Sequence, residues 1–239
     1  MNITFFSIFP ELLKNSLEYS LIKKAVKKNI INVNYIDIRD YSKNKHKKVD
    51  DYPYSGGPGM LLKPEPLFDA IDKNTTKKTK VYYMSPKGQL LNQERVKNIS
   101  KNKDIAIIAG HYEGIDQRVV DGKVDEVISI GDYILTGGEL PALVLADAVV
   151  RLIPGVLGNK FSHEEDSHEN NLLEHPQYTR PYEFKGRKVP NILLSGNHEK
   201  IGRWKRFKSI ELTLKNRPDL IKNRENFFCE YKELKKEFE

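Results

Sequence analysis

Short runs rich in Ile, Val, Phe and Tyr alternate with helical patterns along much of the chain, and this alternation narrows the fold more than any other feature. NITFFSIF is followed by PELLKNSLEYSLIKKAVKKN and then INVNYIDI; further on come KVYYM, DIAIIA and EVISI. β-Branched and aromatic runs favour strands, and strands separated by helices pair in parallel, because a parallel return needs a crossover long enough to hold a helix. The expectation is an α/β fold built on a mostly parallel sheet. The 239 residues allow one domain of about 150 residues plus a smaller one.

Three of these strands run into glycine or proline signals: SPKG after KVYYM, AGHYEG after DIAIIA, and GDYILTGG after EVISI. Ligands of parallel α/β sheets bind beyond the carboxyl ends of the strands, so three such loops point to one shared pocket. Neither a phosphate-binding Gly-Lys-Ser/Thr loop nor a Gly-x-Gly-x-x-Gly fingerprint is present. Glu113, Asp116, Asp132 and Glu139 would suit a cationic ligand with an adenosine-like body better than a phosphate. On the residues alone, three ordinary turns remain the other reading. Glu139 and Pro141 sit where a helix begins, ALVLADAVVRL carries its apolar spacing, and Pro154 with Gly155 ends it. Arg151 then falls near the helix end, where a cation suits the dipole.

Beyond Gly155 the periodicity stops. The polar stretch NKFSHEEDSHENN predicts an inter-domain linker over 159–171, dividing a domain of residues 1–158 from a small helical domain of 172–239. A second irregular segment, DYSKNKHKKVDDYPYSGGPGM, is expected to hold no regular element. The net charge of +7 is unevenly placed: twelve basic residues lie between Lys185 and Arg224 against three acidic ones, with Trp204 and Phe207 interleaved. That pattern fits a nucleic-acid backbone with an unstacked base, or a solvated helix face. Neither a long apolar run nor a signal peptide is evident, so a soluble, cytoplasmic protein without membrane contact is expected. The single cysteine, Cys229, excludes an internal disulfide and is expected to be buried or semi-buried filler. His111, His163, His168, His175 and His198 lack metal-ligand spacing, and no nucleophilic triad is evident. Asp166, taken alone, reads as a loop acid.

Seven blocks nevertheless stand in a familiar order: DDYPYSGGPGM (50–60), MSPKG (84–88), AGHYEGIDQR (109–118), EVISIGDYILTGGELPA (126–142), RLIPGVLG (151–158), LLEHPQYTRP (172–181) and VPNILLSGNHEKIGRWK (189–205). Together they resemble the bacterial tRNA (guanine-37-N1)-methyltransferase family, TrmD, of the SPOUT class. The resemblance implies a homodimer whose first domain holds S-adenosylmethionine in a deep trefoil knot, and a helical domain that grips a tRNA carrying guanine at position 37. Knots are too rare to be expected from pattern alone. It implies donor contacts from Met84, Ser85, Pro86, Gly110, Tyr112, Glu113, Gly114, Ile130, Gly131, Asp132, Tyr133, Ile134, Leu135, Gly137, Gly138 and Pro141, the glycines letting main chain approach the donor closely. RNA contacts fall to Asp50, Tyr54, His198, Arg203 and Lys205. Asp166 corresponds to the family's general base for guanine N1, and Arg151 to the partner of developing charge at O6. The family's Mg2+ dependence is assigned to O6 or the RNA, since a sulfonium donor is already activated.

Four residues depart from the usual blocks: Glu174 where relatives have Asp, Ser55 within the glycine turn, and Ala109 and His111 where Cys and Arg are commoner. Of these, Glu174 bears on how tRNA or the linker is held. A SPOUT enzyme acting on another RNA nucleotide would keep the glycine segments but lack DDYPY, EEDS and NHEKIGRWK; a catalytically silent RNA-binding factor would have no use for Arg151 and Asp166.

Overall fold

A computed structural model describes all residues except Ser20, 158–165, Glu169, Lys222, Asn223 and Glu239, and the side chains of 224–226. The chain divides into two compact units, Met1–Lys160 and Phe161–Glu239.

The first unit is α/β. Strand β1 (Asn2–Ser7) is followed by helices α1 (Pro10–Leu17) and α2 (Leu21–Lys27) and then β2 (Asn32–Asp37), so the long helical pattern of the sequence is divided into two helices. Two short strands, β3 (Asp50–Asp51) and β4 (Leu61–Leu62), pair antiparallel around the proline- and glycine-rich turn. The expectation of no regular element there is corrected by β3, which ends before Pro53, the first residue that would interrupt a ladder. Then come α3 (Pro64–Asn74), β5 (Lys80–Leu90), α4 (Gln93–Ile99), β6 (Asp104–Ala109), α5 (Gln117–Lys123), β7 (Glu126–Ser129) and α6 (Glu139–Val150). The main sheet has the order β2-β1-β6-β5-β7, and each of its pairings is parallel.

Because the sheet is covered on both faces, its strands read as continuous apolar runs. Phe5, Ile105, Ile107 and Ile128 pack with α1 and α6 residues on one face. Phe6, Ala106 and Ile108 pack with Leu67, Ile71 and Val119 of α3 and α5 on the other. β5 extends past the KVYYM run through SPKG. Its register against β7 jumps from Met84 opposite Ile128 to Gln89 opposite the same residue. Residues 85–88 therefore bulge out at the end of the sheet, which re-aims their side chains.

In the second unit, strands β8 (Glu183–Phe184) and β9 (Arg187–Lys188) form a hairpin, followed by helices α7 (His198–Asn216) and α8 (Arg224–Phe238). Asn197 caps α7, its side chain accepting the Lys200 N–H at 3.0 Å. RPDLIKN contributes one short helical turn at Pro218–Leu220. Trp204 and Phe207, which the sequence leaves as either a platform for a base or part of a solvated helix face, are 6% and 0% exposed. They are corrected to core residues: Phe207 stacks on Tyr231 and Phe238, because the unit's two main helices bury their aromatic faces against each other. Cys229, expected to be buried, is exposed. Phe227, Tyr231, Leu234 and Phe238 follow the helical repeat toward the core, and Cys229 lies off that stripe.

Candidate active site

The bulge of β5 and the loops at the carboxyl ends of β6 and β7 enclose a cleft of about 300 Å³. Every residue expected to contact the donor lines it except Asp132, which is exposed elsewhere in its loop. The other acids expected there divide by environment. Glu113 lines the cleft. Asp116 instead caps α5, accepting the Arg118 N–H at 2.9 Å and pairing with its guanidinium. Those hydrogen bonds hold the Asp116 carboxyl below its usual range. Lys87, His111, Ser129 and Thr136 also line the cleft. They stand inside or beside the quoted loops, and no periodic signal marks them.

Main-chain geometry gives the cleft its walls. Tyr112, Gly114 and Gly131 have φ of 59°, 118° and 156°, turning the loops where a regular element would continue the strand. The turn after β6 is held by the 53–62 segment: the Glu113 N–H donates to Met60 O and the Leu62 N–H to Gly114 O, both at 3.0 Å. Tyr133 and Ile134 are 54% and 79% exposed and form a largely apolar rim. Burial raises the Tyr83 phenol above its ordinary value, with hydrogen bonds from Ser85 and the Ile115 backbone opposing the shift, so it enters the cleft neutral.

Gly138 lines the cleft and also lies against backbone of its own unit. Its φ is −84°, and its N–H donates to Gly110 O at 2.7 Å. A Cβ there would lie 2.8 Å from Gly110 N and 2.9 Å from Ala109 Cα. Glycine is required at this position by contact between two backbone segments, not by positive φ.

Behind the cleft lies Glu139, 4% exposed, accepting the Ser7 hydroxyl at 2.7 Å. His111 Nδ1 is 3.7 Å from its other oxygen and, though buried, has no hydrogen-bond partner. Glu139 is the first residue of α6, where the helix dipole favours a negative charge. Arg151 occupies the opposite end of that helix as its C-cap.

The second unit has a pocket of its own, about 200 Å³, where Asp166 and Lys205 meet His175, Arg206 and Ser209. The 167–175 segment is fastened there by the Leu173 N–H to Thr213 Oγ1 at 2.8 Å and the Glu174 N–H to Ser167 Oγ at 2.9 Å. Glu174 uses its backbone for that hold and accepts Gln177 Nε2 with its carboxylate. Among the expected RNA contacts, Asp50 is half-buried in β3, Tyr54 is fully exposed, and His198 is exposed at the start of α7. The Arg203 guanidinium, by contrast, is taken by Glu237 at 2.7 Å and Glu233 at 3.4 Å of α8. The expected linker and His163 lie largely or wholly outside the described residues. Among the described residues, no three His, Cys, Asp or Glu could hold a metal, and no helix is long and apolar enough to cross a membrane.

The family described as "tRNA (Guanine-1)-methyltransferase TrmD" matches residues 1–223. A tRNA (guanine-N(1)-)-methyltransferase of Alkaliphilus oremlandii is 51% identical over 231 residues, 93% of each chain. One of Caldanaerobacter subterraneus is 55% identical over 217 residues, 90% of each chain. One of Clostridioides difficile is 50% identical over 226 residues, 93% of this chain and 98% of the relative.

Proposed function

Because the chain belongs to the TrmD family of tRNA (guanine-1)-methyltransferases, we propose that it transfers a methyl group from S-adenosylmethionine to N1 of guanine 37 in tRNA. The observation that carries the reading is the convergence of three strand-end loops on one apolar-rimmed, acid-containing cleft. Its features fit the donor: Tyr133, Ile134 and Leu135 offer apolar surface to an adenosine body, and Glu113 offers an opposite charge to a cation. Bound there, S-adenosylmethionine supplies an already activated sulfonium methyl.

Guanine N1 carries a proton, and it becomes a good nucleophile only as that proton leaves. Asp166 accepts the proton while the N1–methyl bond forms and the sulfonium–methyl bond breaks, leaving a neutral thioether. A carboxylate is a far weaker base than the N1 anion, so deprotonation and transfer are coupled rather than sequential. Arg151 meets the negative charge that gathers at O6. The base is stacked in the anticodon loop and has to be turned out to reach the donor. Asp50, Tyr54, His198 and Lys205 hold the RNA, whereas Arg203 ties α7 to α8. Mg2+ belongs with the RNA or O6, and no step here passes through a metal held by the protein.

The working form is a cytoplasmic homodimer, its first domain knotted as in the SPOUT class. Each active site combines the cleft of one subunit with Asp166 of the other, a reach that the long 159–171 segment permits. The boundaries at 158 and 171 are the proposed limits of the donor and RNA domains. The test is mass spectrometry of anticodon-loop RNA after incubation with the donor. Methylation at N1 of guanine 37 is expected, and modification of another nucleotide would replace the reading with the SPOUT alternative. Asp166→Asn keeps shape but removes basicity, so single-turnover methylation should fall by about 10² or more with donor affinity unchanged. A wild-type rate at saturation would remove Asp166 from the role of base.

A further inference from the structure

With Trp204 and Phe207 buried, the exposed aromatic surface among the cations of the second unit lies on the hairpin of β8 and β9. Each residue from Arg180 to Lys188 is exposed, and the segment carries four cations against one acid. The ribbon is nevertheless held to one shape. Lys185 and Gly186 have φ of 51° and 76°, the positive pair that a tight two-residue hairpin turn demands. The Val189 N–H donates to Tyr182 O at 2.9 Å, which continues the ladder, and the Tyr182 hydroxyl donates to Asn191 Oδ1 at 3.0 Å. Glu183 stands opposite Lys188, and Phe184 opposite Arg187. Opposed residues share a face of the ribbon and successive residues alternate. One face therefore carries the Glu183 and Lys188 ion pair, 3.6 Å apart, and the other carries Tyr182, Phe184 and Arg187. Phe184 is 62% exposed, with the Lys185 ammonium 5.5 Å from its ring centroid. Among the described residues, no second ring packs on Phe184, and Arg187 has no carboxylate partner.

We propose that this face of the hairpin is a platform on which Phe184 stacks an unpaired base of the RNA substrate, while Lys185 and Arg187 meet the flanking phosphates. The inference rests on the function proposed above, which gives the chain an RNA substrate with a single-stranded loop. An exposed two-stranded ribbon is marginal in water unless something packs on it, and the chemistry of this face selects the partner. A phenyl ring accepts the π-face of any base, and cations beside it suit the backbone that carries that base. A second copy meeting the same face would set Arg187 and Lys185 against their own counterparts, because a two-fold contact pairs a patch with itself. Stacking reads no base edge. The platform therefore adds affinity without choosing the nucleotide, and the choice stays with the groups around the target base.

Filter binding of a tRNA transcript carrying guanine 37, at several salt concentrations, tests the platform. Phe184→Leu keeps apolar bulk but removes the π-face, so affinity should fall about tenfold, the order of one lost stack, with the salt slope unchanged. Phe184→Trp, which restores a ring, should bind at least as tightly as the unaltered protein. Arg187→Ala should instead flatten the log–log salt slope by about 0.7–0.9. Donor affinity by calorimetry and oligomeric state by sedimentation should be the same in all of these proteins, since the hairpin stands outside the core of its unit. Wild-type tRNA affinity in Phe184→Leu, or a Phe184→Trp variant as weak as Phe184→Leu, would overturn the inference. A changed oligomeric state in Phe184→Leu would give the face to a second copy, and a changed donor affinity would make the residue structural; either result overturns it as well. All four outcomes leave the methyltransferase reading intact. Unaltered protein that neither binds nor methylates the transcript would overturn that reading itself, and the inference with it.

Discussion

Replacing Gly138 with alanine tests whether this glycine serves the fold rather than the ligand. The added Cβ would sit 2.8 Å from Gly110 N, 2.9 Å from Ala109 Cα and 3.1 Å from Ala109 C, all backbone atoms that cannot rotate away. Ordinary contact requires at least about half an ångström more, so α6 and the end of β6 must part. Overpacking of this kind costs about 1–3 kcal/mol. Stretching the Gly138 N–H bond to Gly110 O, 2.7 Å at rest, adds about 1 kcal/mol. Against this stands a gain of about 0.4–1 kcal/mol from a less flexible unfolded chain, available because the φ of −84° suits alanine. The net expectation is a loss of about 2 kcal/mol. Urea unfolding followed by hydrogen exchange of the 104–115 and 136–150 peptides reads the effect, while Trp204 fluorescence reports the other unit and should not move. Gly202→Ala in α7, where an added Cβ meets nothing within 4 Å, should instead stabilise by about 1 kcal/mol. If Gly138→Ala were as stable as the unaltered protein, the requirement for close backbone contact would be refuted.

Three further outcomes are expected. Mixing Asp166→Ala chains with Ile134→Asp chains, the latter altered on the exposed cleft rim, should restore one working site of two in heterodimers; proven heterodimers without activity would exclude sites shared between subunits. Lys205→Ala should weaken tRNA binding in a filter assay while leaving donor affinity unchanged, and unchanged tRNA affinity would remove Lys205 from the RNA contact. Asp116 has a depressed carboxyl in the folded state. The stability it contributes is therefore present above the unfolded value of about 3.9 and is lost as pH falls below it. Arg118→Ala should flatten that acid limb in stability measured from pH 5 to 2, and an unaltered slope would count against the pairing.

The parallel sheet was legible because its strands are buried on both faces and so carry unbroken apolar runs, as in DIAIIA. The loops of the cleft were legible because their glycines and prolines stand at strand ends. Less legible was anything decided by side-chain direction. KSIELT gives no sign that Thr213 will accept the Leu173 N–H, and the charge of Arg203 does not reveal that Glu237 will take it. The helices α3, α4 and α5 are short or lie between stronger signals, and each is defined as much by its packing on the sheet as by its own pattern. Trp204 and Phe207 show the same limit from the other side: aromatics among cations read equally as a base platform or as a helix core, and tertiary contact decides.

The acidic partners of α7 change what a salt titration would count. Of the twelve cations between Lys185 and Arg224, Lys188, Arg203, Arg206, Lys208 and Arg217 already face carboxylates of their own unit. A phosphate contact releases condensed counterions from RNA only where the protein brings an uncompensated charge, with about 0.7–0.9 ions per contact. Twelve uncompensated cations would give a log–log salt slope near −10, a ceiling that these five pairings lower by about four. If this unit holds the RNA as proposed, the binding is less dependent on ionic strength than the unit's composition suggests, and shape carries more of the recognition than charge.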